Sequence, residues 1–170
     1  MESRAKVLGH PVHPMLITFP LGLFATAVVF DLIDVFGGPE GLGQAAYWNI
    51  LVGLIVGVAA GVAGLVDYTA IPSGTRAKRV GLLHGAVNLL VLVLFAAAWA
   101  LRAAADGYGA TTPALALQLI AAVAAGGSAW LGGELVDRLG VGVDPDAGLD
   151  ASSSLRRPAR ERQVGRPVAR

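Results

Sequence analysis

Four long apolar runs fill most of the 170-residue chain: roughly Met15 to Val35, Ala45 to Val66, Val80 to Leu101 and Thr112 to Val136. Each reaches or exceeds the ~20 residues a helix needs to cross ~30 Å of hydrocarbon. The expected fold is all-α, a polytopic membrane protein built as an antiparallel four-transmembrane-helix bundle. Composition agrees: hydrophobic residues make up 55% and charged residues 15%, against roughly 25% charged in soluble domains. Mean hydropathy is +0.64. Such a chain could not clothe a soluble globule in polar surface, so the lipid bilayer is its expected solvent. With no cysteine, disulfides, thiolate metal sites and cysteine-ligated iron–sulfur clusters are excluded.

Charge sets the expected orientation. Arg4 and Lys6 precede the first run, Arg76, Lys78 and Arg79 lie between the second and third, and Arg138 with six further arginines follows the fourth. Only Arg102 falls on the other side. The positive-inside rule makes the basic face cytoplasmic, with both termini inside, in the cell inner (plasma) membrane. Ala25-Thr26-Ala27 resembles a signal-peptide cleavage site, but apolar character continues to Phe30, so the first run is read as an uncleaved helix.

Pro20 is expected one turn inside the first helix, where its missing donor costs little. Asp31 and Asp34 are placed near the outer end, within reach of water. Gly53, Gly57, Gly61 and Gly64 share a face of the second helix, and with Gly81, Gly85, Gly126, Gly127, Gly132 and Gly133 they read as seams where helices approach closely. The outer loops, near Phe36 to Gln44 and Arg102 to Thr111, are short enough to make sequential helices antiparallel neighbours. Residues 1–143 are therefore read as the transmembrane domain, and 144–170 as a disordered Arg/Pro-rich cytoplasmic tail.

The chemistry-bearing residues gather at the inner end. In Gly9-His10-Pro11-Val12-His13-Pro14 each histidine precedes a proline, which disfavours helix and favours an extended or polyproline path. There, His10 and His13 would share a side, about 9 Å apart. His84 lies about 7 Å into the third helix, with Asn88 one turn deeper. Asp67, Glu134 and Asp137 close the second and fourth helices at the same depth. Ionisable groups at such depth commonly face a bundle interior and mark function. Two site readings follow: His13 and His84 as axial ligands of a haem b, or His10, His13 and His84 with Asp67 and Glu134 around a transition-metal ion. Neutral imidazole suits iron, copper or zinc.

The pattern resembles the bacterial membrane proteins of domain of unknown function 2231 over residues 8 to 143. The resemblance is carried by Gly9-His10-Pro11-Val12-His13-Pro14-Met15-Leu16 running into Phe19-Pro20, by Gly64-Leu65-Val66-Asp67, by His84 with Asn88, and by Gly132-Gly133-Glu134-Leu135-Val136 leading to Gly140-Val141-Gly142-Val143. It implies four helices and no settled activity. Some members look like partners or fusions of Rieske-type iron–sulfur domains, implying electron transfer with a redox partner protein. Thr18 stands where a third histidine is common in that family, and Asp137 and Leu139 stand where a tyrosine and a histidine are usual.

Three functions are consistent with these residues. The first is a structural or accessory membrane subunit whose histidines cap helices and bond carboxylates. The second is a haem- or metal-binding redox protein. The third is a small transporter or proton path through Asp67, Asn88, His84 and Glu134. Nothing supports nucleophilic catalysis, since no serine or threonine stands at an elbow-like turn and no phosphate-cradling loop precedes a helix. Nucleic acid is not an expected partner.

Overall fold

The computed structural model describes residues 1–155; the part of the expected tail from 156 to 170 lies outside them. Four helices dominate: α1 (Val12–Val35), α2 (Leu42–Ala70), α3 (Arg76–Ala103) and α4 (Thr112–Gly133). Each is long and apolar enough to cross a membrane. Thr75 and Thr111 start α3 and α4 by accepting the backbone N–H of Lys78 and Ala114, as threonine does at an N-cap. A two-residue hairpin pairs β1 (Lys6–Val7) with β2 (His10–Pro11) ahead of α1.

The His-Pro segment departs from the extended path expected of it. Pro11 is the N-cap and α1 begins at Val12, so His13 and Pro14 lie in the first turn. A first-turn N–H has no helical acceptor to lose, and Pro14 fits there at little cost. His10 and His13 therefore part company, one on a strand and one on a helix. For the same reason Pro20 sits in the interior of α1 rather than one turn in. It is buried there, facing Gly57 of α2, and such prolines are tolerated in membrane helices packed against neighbours.

The contacts fix the packing. Along α1 and α2, His13 meets Ala60 and Gly64, Phe24 meets Gly53, and Asp34 meets Gly43; as one number rises the other falls, so the helices are antiparallel. Along α3 and α4, His84 meets Ser128 and Gly132. The diagonal pair α1 and α3 runs parallel and touches at three levels: His13 with His84, Phe24 with Phe95, and Asp31 with Arg102. Each pair is separated by the same 71 positions. The two hairpins thus repeat one another about an axis down the centre of the bundle, the arrangement of parallel repeats in membrane proteins. The buried core, including Phe24, Ala27, Ile50, Val91, Phe95 and Ala121, lies around this axis, while residues such as Val62, Leu89 and Val123 face outward.

The glycine seams are narrower than their spacing suggests. A Cβ on Gly57 would fall 2.7 Å from Leu92, and one on Gly53 2.6 Å from Phe24, whereas Gly61, Gly85, Gly126 and Gly127 open onto space. Within α2 the seam continues through fully buried Ala60 instead of Gly61. Gly57→Leu is therefore expected to destabilise the bundle by about 1–3 kcal/mol of overpacking strain, and Gly61→Leu to leave it unchanged. Thermal unfolding of both variants in detergent checks this, and equal behaviour of the two would count against the seam.

Candidate functional site

His13 and His84 are the residues that the fold brings together. Their ring centroids lie 6.2 Å apart with planes at 85°. Each imidazole is stapled to the other helix of its own hairpin: His13 Nδ1 to the carbonyl of Ala60 at 2.7 Å, and His84 Nδ1 to the carbonyl of Ser128 at 3.0 Å. A carbonyl accepts only a donor, so both rings carry their proton on Nδ1. The local sequence explains why these carbonyls are reachable. Four residues on from Ala60 and Ser128 stand Gly64 and Gly132, and a Cβ there would come within 2.9 Å of His13 Nδ1 and 3.3 Å of His84 Cε1. Glycine one turn later keeps the approach to the carbonyl open.

On His84, Nε2 accepts from the Asn88 amide at 3.1 Å, one turn deeper on α3. Ser128 Oγ adds a contact of 3.1 Å to Nδ1. Both nitrogens of this ring are thus occupied by the protein, in a half-buried site where an unmet polar group would be costly.

The other three expected site residues go elsewhere. Asp67 is held by the N-terminal segment: Ser3 Oγ donates at 2.7 Å to both of its oxygens, and the Arg4 and Ala5 N–H groups donate to Oδ1 at 2.7 and 3.0 Å. Glu134 pairs with Arg76 at 2.6 Å. His10 is exposed, its Nε2 3.2 Å from Ser154 Oγ. The set His10, His13, His84, Asp67 and Glu134 does not gather around one point, and no group of three or more His, Asp or Glu side chains suited to a metal ion occurs among the described residues. The physical reason is the N-terminal segment. It seats on Asp67 and receives Gly142 N–H on the Met1 carbonyl, while Arg76 draws Glu134 away.

At the opposite end lies a polar cluster outside the expected site. Asp31, Arg102 and Gln118 are all fully buried, which corrects the expectation that water reaches Asp31. Arg102 forms an ion pair with Asp31 and donates to the carbonyls of Gly43 at 2.6 Å and Tyr108 at 2.9 Å. Gln118 Nε2 donates to Asp31 at 2.8 Å. The guanidinium so links α1, α3, the start of α2 and the loop before α4. Between the two polar ends, the rings of Phe24 and Phe95 stack at 4.0 Å with planes at 8° and close the axis with hydrocarbon.

A family model described as a predicted membrane protein, domain of unknown function 2231 (DUF2231), matches residues 9–145. The chain belongs to this family. The DUF2231 match takes in all four helices, the histidine pair and the buried arginine cluster alike. No curated protein and no solved structure shows significant similarity to the chain.

Proposed function

We propose that this DUF2231 protein is a structural or accessory subunit of the inner membrane, with the histidine end and both termini on the cytoplasmic side. The observation that carries the reading is how the imidazoles are used. Each spends Nδ1 on a backbone carbonyl of the neighbouring helix, and His84 also spends Nε2 on Asn88. They clasp hairpins. The charge distribution supports the orientation: Arg102 is fully buried and paired, so among the described residues the basic side chains able to hold the bundle against a cytoplasmic leaflet are Arg4, Lys6, Arg76, Lys78, Arg79 and Arg138, all at the histidine end. His13→Ala and His84→Ala should each lower stability by about 1–3 kcal/mol in detergent, with no accompanying loss of colour or bound metal. Stability unchanged in both variants would defeat the clasp.

One observation favours a second reading. A carbonyl on Nδ1 is also the usual support of a metal-bound imidazole. The 6.2 Å between ring centroids is near what two nitrogens about 2 Å from one metal and on opposite sides of it, on rings of about 1.2 Å radius, would give. Two imidazoles on opposite sides of one metal suit a single ion or a haem b alike. An ion there would have to displace the Asn88 amide from His84 Nε2.

A further inference from the structure

The second hairpin ends differently from the first, and an open groove lies along that end. The first closes with Gly64-Leu65-Val66-Asp67, the second with Gly132-Gly133-Glu134-Leu135-Val136-Asp137, so two more residues, Gly133 and Glu134, separate the glycine that faces the histidine from the aspartate. The longer segment includes a π turn over Glu134–Arg138, in which Leu139 N–H reaches back five residues to the carbonyl of Glu134. Such turns recur at functional sites. In the first hairpin Asp67 is saturated by one hydroxyl and two backbone N–H groups. In the second, Glu134 takes the cationic partner, Arg76. Asp137, the counterpart of Asp67, is exposed and has no hydrogen-bond or ion-pair partner among the described residues.

Beside it lies an open groove of about 210 Å³ lined by Trp130, Gly133, Glu134, Asp137 and Arg138, spaced so that all five share one face of the helix. Trp130 is 68% exposed, two turns before Asp137 at the end of a spanning helix, the level at which tryptophan sits among lipid headgroups. The groove thus offers an unpartnered carboxylate, an arginine one residue on and an apolar ring at headgroup depth.

We propose that this open groove binds the headgroup of a phospholipid bearing a primary amine, with Asp137 taking the ammonium, Arg138 the phosphate and Trp130 the glycerol and upper acyl region. Asp67 shows what an aspartate in this motif accepts: three donors at once, two N–H groups and a hydroxyl. A primary ammonium supplies three, whereas the trimethylammonium of a choline lipid supplies none. An anionic glycerol lipid would satisfy Arg138 and leave Asp137 facing a phosphate.

The test is lipid binding to the full chain in detergent, read by native mass spectrometry with phosphatidylethanolamine, phosphatidylcholine and phosphatidylglycerol of matched acyl chains. Phosphatidylethanolamine should be preferred over phosphatidylcholine by about threefold, the scale of one partly exposed ion pair. Asp137→Asn should erase that preference without moving the lipid-free melting temperature. Arg138→Gln should weaken all three lipids alike. Equal binding of the ethanolamine and choline lipids, a preference for phosphatidylglycerol, or a preference that survives Asp137→Asn would each overturn the proposal.

Discussion

Replacing Arg102 with methionine is expected to cost about 3–5 kcal/mol of stability, because it removes one partner of a fully buried ion pair and leaves the other charged. Methionine keeps most of the length of the side chain, so the loss is electrostatic more than steric. Asp31 would keep only the Gln118 amide, and the carbonyls of Gly43 and Tyr108 would lose their donor. Removing both charges, as Asp31→Leu with Arg102→Met, should be less damaging than the sum of the single changes, since no uncompensated charge then stays inside. The cycle is measured by thermal unfolding in detergent. A coupling of about 0.5–3 kcal/mol is expected for groups in direct contact, and strictly additive effects would show that the pair does not act as a unit.

Phe95→Ala should be comparably severe, at about 3–5 kcal/mol. Phe95 is fully buried at the midpoint of the axis and stacks on Phe24, whose edge is received by Gly53 of α2. Truncation leaves a hole where four helices meet, and the backbones cannot collapse into it while the His13–His84 and Asp31–Arg102 levels hold α1 and α3 apart on either side. Phe95→Leu should retain much of the stability. A loss below about 1 kcal/mol for Phe95→Ala, the size of an ordinary substitution, would mean that the diagonal contact does not hold the hairpins together.

The four helices were legible because length and hydropathy alone decide whether a segment can span a bilayer, and the short loops then fix antiparallel neighbours. The pairing of His13 with His84 followed from depth, since both stand near the start of helices that run the same way. Depth could not say which residues at that level meet. Asp67 and Glu134 lie at the right height but are drawn to Ser3 and Arg76, through a loop and an N-terminal segment whose course no periodicity encodes. Glycine spacing likewise could not distinguish Gly57, which faces Leu92, from Gly61, which faces outward, because a step of four residues drifts around the helix.

A signal for the buried arginine cluster was present in the sequence. Leu21-Gly22-Leu23-Phe24-Ala25-Thr26-Ala27 and Leu92-Val93-Leu94-Phe95-Ala96-Ala97-Ala98 share five identities in seven positions. Their alignment places His13 on His84 and Asp31 on Arg102. An arginine that is the single basic residue at its end of the four runs, aligned with an aspartate in the parallel helix, is the pattern of an intramembrane ion pair. Gln118 carried no such mark, since nothing about one glutamine in an apolar run tells which way it faces.

The central claim, that the histidine pair is a clasp between helices, meets its most direct test in the absorption spectrum and metal content of the full-length protein purified in detergent from membranes, beside His13→Ala and His84→Ala. The clasp predicts no Soret band, substoichiometric metal, and variants that differ from the parent in stability alone. A Soret band or one tightly bound metal ion per chain, lost in both histidine variants while the helices remain folded, would contradict it and make the pair a ligand site.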